Sequence, residues 1–344
     1  MSALTATLSS ARAPLTLTIM ATAFVLLALS GVAFGSTWLP LEQVFAVIVG
    51  AGEKTQRLIV LQLRLPRVVI AALAGGGMAV AGFLLQKVTR NALASPGVLG
   101  VIDGAALGVV IFLAVLSDQS NVLVTSIAYQ PLAAMAGAIL GITLVFTASG
   151  RQSSSAVRLL LFGIAIGAVF KALIMVMMLI GPIYRTSQAA RWIAGAVNEI
   201  NWSEIQVTLA MLLPLLVLTM LAARRMPPAD LDEVSARSVG LNLPVFRVLI
   251  FALAAALTAV SVAFVGGVGF IGLMAPHLAR LIVGRNVYAG LAGSFLLGAI
   301  MLVGADLIVR VLFSPVEVPA GTVTAVIGAP YFLFLLMSRQ RHDG

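Results

Sequence analysis

Apolar runs separated by short polar breaks recur along the whole chain, at about residues 15–35, 66–86, 97–116, 124–148, 158–181, 203–222, 247–265, 269–284, 288–309 and 320–338. A helix that crosses a hydrocarbon core takes about 20 residues, and most of these runs reach or approach that length. Lipid offers no partner to a backbone N–H or C=O, so such runs are read as helices. The expected fold is all-α: a polytopic membrane protein of about ten transmembrane helices, with residues 1–344 forming a single transmembrane domain. Residues 1–14 are rich in Ala, Ser and Thr, carry only Arg12, and are expected to form a loose tail. A cleaved leader is the alternative, but the first run exceeds the roughly 7–15 residues of a signal core, which favours a retained helix.

Composition agrees with this pattern. The chain is 61% hydrophobic and 10% charged, against about 25% charged in a soluble domain. Its net charge of +9 would suit nucleic acid, but the basic residues lie between apolar runs and form no basic domain, so no nucleic-acid partner is expected. There is no cysteine, which removes disulfide frameworks and thiolate metal sites.

An even number of spans puts both termini on one side. With the termini inside, thirteen basic residues fall on the inner side and seven on the outer: Lys54, Arg57, Arg64, Arg67, Arg185, Arg191 and Arg310. The bias favours cytoplasmic termini and leaves the outer arginines to be explained. Lys171 fits neither set, because it lies mid-run, where a charge is costly and faces a cavity or a partner.

The longest polar break, 222–247, has a proline pair as a helix stop, Asp230 as a candidate N-cap and Gly240 as a candidate helix end. Connections in compact proteins usually take about 4–6 residues, so this one reads as a docking element. Residues 67–80 and 247–260 are similar to each other and an odd number of helices apart, as in inverted transporter repeats. Glycines at helical spacing, Gly100/Gly104/Gly108, Gly137/Gly141 and Gly163/Gly167, predict close helix packing. Gly267, Gly269 and Gly272 match a dinucleotide fingerprint only in spacing, since no strand precedes them. Residues 52–55 lack the glycine spacing of a phosphate loop. His277, inside the apolar run 269–284, has no second ligand or nucleophile nearby, so no enzyme is expected.

Specific motifs carry a resemblance. Leu63-Arg64-Leu65-Pro66-Arg67 opens a glycine-rich run. Gln86 and the stretch 89–96, TRNALASP, follow. Then come Leu231-Asp232-Glu233 with Ala236-Arg237-Ser238-Val239-Gly240, Gly269-Phe270-Ile271-Gly272-Leu273 with Pro276-His277-Leu278-Ala279-Arg280, Asp306 with Arg310, Pro319 with Gly321, and Gly328-Ala329-Pro330-Tyr331-Phe332. In this order they resemble the FecCD-type permeases, the membrane subunits of ATP-binding-cassette (ABC) importers for ferric siderophores, haem and cobalamin. Ala92 stands where that family usually has proline, which should loosen its loop, and Ala275 replaces a more usual aliphatic residue.

The resemblance implies a type II ABC importer permease in the bacterial cytoplasmic (inner) membrane, working with a second permease copy or paralogue. It implies two ATP-binding subunits and a periplasmic or lipid-anchored substrate-binding protein. The chain itself would bind no cofactor and no metal, with ATP and Mg held in the partner ATPase. Arg64, Arg67 and Arg310 would dock the binding protein. Asp232, Glu233, Ala236, Arg237 and Gly240, within the 223–246 loop, would couple to the ATPase. Ser153, Ser154 and Ser155, with Lys171, Met175 and Met178, would line a gate or pathway. From the residues themselves, Arg310 equally permits an i,i+4 pair with Asp306, and Lys171 a local pair. An ion- or proton-coupled secondary transporter using Lys171, Asp103 and Asp306 is the alternative.

Overall fold

Small residues decide what sits at the centre. A computed structural model of the chain describes residues 2–340 except 36, 118–122, 151–155, 182, 198–199, 230, 232, 285, 315 and 317. Its helices, in chain order, are α1 (Ser2–Ala33), α2 (Leu41–Ile48), α3 (Lys54–Arg57), α4 (Leu65–Thr89), α5 (Val101–Val115), α6 (Gln130–Ser149), α7 (Ala156–Ile180), α8 (Ile183–Ile193), α9 (Trp202–Ala223), α10 (Met226–Ala229), α11 (Glu233–Ser238), α12 (Leu243–Val265), α13 (Ile271–Val283), α14 (Val287–Leu312) and α15 (Ala320–Gln340). Each of the ten predicted runs is helical. Seven of these helices are long and apolar enough to cross a membrane, and the helices at 101–115, 271–283 and 320–333 are shorter.

The central helix is α4. It is 83% buried over its most apolar stretch, against 17% for α1 and 28% for α7 and α9. Gly75, Gly76, Gly77 and Gly82 make this possible. A Cβ on Gly75 would collide with the carbonyl of Gly298 in α14, and one on Gly82 with the carbonyl of Gly272 in α13. The pairs Gly75/Gly298, Phe83/Gly290 and Arg67/Asp306 run in opposite senses, so α4 and α14 are antiparallel. The same logic joins α5 to α6: Gly104 faces Gly137, Gly108 faces Ala133 and Gly100 faces Gly141, main chain against main chain. The predicted glycine faces are therefore real contacts, of the kind that bring helices together where water provides no drive. The repeat-like segments 67–80 and 247–260 belong to α4 and α12, which pack on each other.

Three expectations are corrected. Residues 2–14, read as a loose tail, continue α1 as helix through Pro14. The second run does not begin at residue 66: helix extends back to Lys54 through a π-helical turn at Leu58–Arg64. Π-turns are rare and often sit at functional sites. The indole N–H of Trp202, at the start of α9, donates to the Leu61 carbonyl in this turn at 2.8 Å. The loop around Ala92 is also held without the family's proline, since the Asn91 side chain accepts from the Leu93 N–H at 3.0 Å.

Before α5 the chain is irregular at depth. Residues Pro96–Leu99 form a 3-10 turn, and Gly100 takes a left-handed φ of 70°. A Cβ on Gly100 would lie 3.2 Å from the carbonyl oxygen of Gly163. Gly163 is seven residues into α7, so α5 begins about 10 Å along that helix. Non-helical backbone at this depth is tolerated when protein surrounds it, and Leu99 and Val101 are buried at 2% and 1% exposure.

Candidate functional site

The end that the charge bias assigns to the outside carries an arginine cluster built on α1, α4 and α14. Arg64 is the last residue of the π-turn and is only 6% exposed. Its Nη1 donates to the carbonyls of Val32 (3.0 Å) and Ala33 (2.8 Å), and its Nη2 to the carbonyl and hydroxyl of Thr37. The Val32 and Ala33 carbonyls end α1, where helical partners run out and a cation is favoured. Arg310 donates from Nη2 to Gly31 O at 2.7 Å, two residues before that end. Its Nε lies 3.1 Å from Asp306 Oδ2. Arg67 reaches the other carboxylate oxygen, with Nη2 at 2.7 Å and Nε at 2.8 Å. Asp306 itself is 1% exposed, so a single buried carboxylate holds guanidinium groups from α4 and α14.

This geometry separates the three outer arginines. Arg64 and Arg310 are not rim charges; they close the end of α1 and, with Asp306, fasten α1, α4 and α14 together. Arg67 is different. Besides its bond to Asp306, it lines an outer cleft of about 730 Å³ together with Gln130, Gln188, Arg191, Asn201 and Glu204. Arg191, on α8, is exposed, and Glu204 is tied to the Asn201 backbone N–H at 2.9 Å. Arg191, an outer charge to which the sequence assigns no role, thus shares this cleft with Arg67.

At the opposite end, Arg90 joins two elements that are far apart in sequence. It ends α4 with φ of 52° and donates from Nη2 to the carbonyls of Ala229 (3.1 Å) and Leu231 (2.6 Å). The loop after α9 is thus clamped onto the end of the central helix. Within it, α11 ends as the glycine predicted: Gly240 has φ of 79° and the Leu241 N–H returns to the Ala236 carbonyl at 3.0 Å. That bond closes a Schellman cap, with Ala236 and Leu241 both buried. Asp230 and Asp232 lie outside the described residues, and the side chains of Glu233 and Arg237 are not described. Gln86, fully buried, donates to the Leu273 carbonyl of α13 at 3.0 Å, beside Pro276, and accepts from Arg280 at 3.4 Å. The His277 ring meets Tyr331 of α15 edge-on, with centroids 6.2 Å apart.

The third place is the uncovered face of α7. Lys171 Nζ lies 3.6 Å from Asp103 Oδ2 of α5, with the lysine side chain 70% exposed and the aspartate 16%. Met175 is exposed beside it, and Met178 is half-buried against α5. Ser153, Ser154 and Ser155 lie outside the described residues. Both carboxylates assigned to a coupled-transporter reading, Asp103 and Asp306, are therefore engaged in ion pairs.

Comparison with known proteins is uniform. Residues 21–338 match the model of the FecCD transport family. The chain is 39% identical to the probable siderophore transport system permease protein YfhA of Bacillus subtilis, covering 92% of this chain and 91% of that one. It is 36% identical to the hemin transport system permease protein HmuU of Yersinia pestis, covering 82% and 84%. A solved inward-facing structure of a metal-chelate type ABC transporter superposes with a TM-score of 0.83 at 27% identity, over 94% of this chain and 99% of that one.

Proposed function

This chain belongs to the FecCD transport family, and on that premise we propose that it is the permease through which a bacterial cell imports an iron chelate. The protein is a multi-pass membrane permease with the fold of type II ABC importer permeases, and it is not itself an enzyme. In the proposed assembly it lies in the bacterial inner membrane with both termini cytoplasmic. It pairs with a second permease, identical or paralogous, and with two ATPase subunits that hold ATP and Mg. A periplasmic or lipid-anchored binding protein delivers a ferric siderophore, haem or cobalamin. The relatives named for siderophore and hemin transport favour the iron chelates within that set.

Each part of the molecule then has a task. The outer cleft receives the loaded binding protein, with Arg67 and Arg191 as its basic residues; electrostatic steering of an acidic partner is the physical logic. The α10–α11 loop, ending at Gly240, meets the ATPase, and Arg90 passes its displacement to α4. The exposed face of α7, with Lys171, Met175 and Met178, lines the pathway against the second permease. The observation that carries this reading is its span: the family match runs over residues 21–338 rather than over one motif. The test is reconstitution with the cognate ATPase and binding protein in liposomes. ATP-dependent uptake of a ferric chelate supports the reading; uptake driven by an ion gradient without the ATPase overturns it.

A further inference from the structure

Lys171 sits nine residues before the end of a 25-residue apolar helix, on a face that this chain leaves open. An ammonium group there is too costly to face hydrocarbon, so it faces a partner or a polar path. Its carboxylate partner, Asp103 Oδ2, lies 3.6 Å from Nζ, and the lysine side chain is 70% exposed against 16% for the aspartate. Asp103 is also fixed by other means. It stands in the first turn of α5, where the helix end favours a negative charge. The notch over Gly167 holds it, since a Cβ there would lie 2.6 Å from Oδ2. The aspartate is thus seated in protein, while the lysine side chain extends onto the open face, where a second ligand can reach it. The start of α5 at depth, after the broken segment Pro96–Gly100, repeats a design in which interrupted helices mark binding sites within the membrane.

We propose that Lys171 is a specificity-determining residue for anionic chelates, contacting a carboxylate or catecholate oxygen of the cargo as it passes the α7 face while Asp103 holds the lysine in place when the path is empty. In a pair of identical permeases two such lysines would face the path. The inference rests on the importer reading above and deepens it by naming the charge class of the substrate. Methionines next to the lysine supply an adaptable apolar wall for the rest of a bulky ligand.

The test uses the full importer in liposomes, with its binding protein loaded either with a trianionic ferric tricatecholate or with a neutral ferric trihydroxamate, and follows iron uptake. A close charge pair is worth at least about 1.5 kcal/mol, so Lys171→Gln should slow uptake of the anionic chelate by about tenfold or more relative to the neutral one. Lys171→Arg keeps the charge and should keep the preference, which separates charge from folding. Asp103→Asn, which frees the lysine, should not reduce anionic uptake. Equal loss on both chelates in Lys171→Gln, or no loss on either, overturns the proposal and leaves the pair with a structural role. Wild-type liposomes that import only the neutral chelate overturn it as well. Liposomes that import neither chelate, nor haem or cobalamin, under ATP overturn the importer reading itself.

Discussion

Removing the charge of Asp306 should destabilise the protein more than any other single polar change at the outer end. Three donor atoms converge on this carboxylate: Nε and Nη2 of Arg67 on Oδ1 and Nε of Arg310 on Oδ2. The Arg67 Nε contact is a hydrogen bond to a charged group, worth about 1.5–3 kcal/mol, and Asp306→Asn also removes the two ion-pair contacts from Arg67 Nη2 and Arg310 Nε. The asparagine keeps one acceptor oxygen and turns its NH₂ toward the other guanidinium, so it can serve Arg67 or Arg310 but not both. Arg67 is 22% exposed and regains some water; Arg310, at 12%, regains little. The net cost should approach the roughly 3–5 kcal/mol seen when one partner of a buried ion pair is removed. Unfolding of the purified protein in mild detergent, followed by loss of helical signal, measures it. Combining Asp306→Asn with Arg67→Gln should recover part of the loss, because the second change removes the charge that the first left unpaired. Strictly additive losses, or an Asp306→Asn midpoint equal to wild type, would refute the argument that this carboxylate joins α4 to α14.

Other consequences follow from the same geometry. Gly240→Val places a branched side chain at φ of 79° with no atom within 4 Å of its Cβ; the cost is backbone strain of about 1–2 kcal/mol, and the expected outcome is intact assembly with a several-fold loss of ATP hydrolysis stimulated by the loaded binding protein. Gly137→Leu drives a side chain into the main chain of α5 and should cost about 3 kcal/mol or more, seen as loss of folded protein in membranes. Arg191→Glu reverses an exposed cleft charge and should weaken docking of an acidic binding protein by up to about fivefold at low salt, with the difference shrinking as salt rises. Arg64→Gln should do the opposite: a lower unfolding midpoint, because α1 loses its cap, with docking per folded molecule unchanged.

The helices and their tightest contacts were legible because in lipid an apolar run and a glycine face each have few structural alternatives. The glycine faces Gly100/Gly104/Gly108 and Gly137/Gly141 were readable from spacing, and the structure pairs them. The left-handed end at Gly240 was equally readable, since the chain there has a proline stop, a short polar helix and one glycine. The arginine cluster was misread because a sequence shows on which side of a membrane a charge falls but not which carbonyls lie near it. The end of α1 is more than 30 residues from Arg64 and about 280 from Arg310. The π-turn that aims Arg64 at that end has no composition signature: 58–64 is an ordinary apolar stretch. Arg90 was visible as part of a motif, yet its role depends on residues 229 and 231, about 140 positions away. The Lys171–Asp103 pair stayed open for the same reason, as one partner opens α5 and the other sits deep in α7.

The closest approaches of α4 to α14 and of α5 to α6 are made by peptide groups, Gly75 against Gly298 and Gly104 against Gly137. A side chain can change rotamer and let its neighbour slip by; a carbonyl seated against a glycine has no second arrangement to offer. Each of these helix pairs must therefore travel as one piece, and a register shift of even one residue would drive Cβ atoms into main chain all along the seam. Motion of this molecule should then be tilting of whole blocks rather than sliding within these pairs. The molecule works as a few hinged plates, and its glycines are the welds.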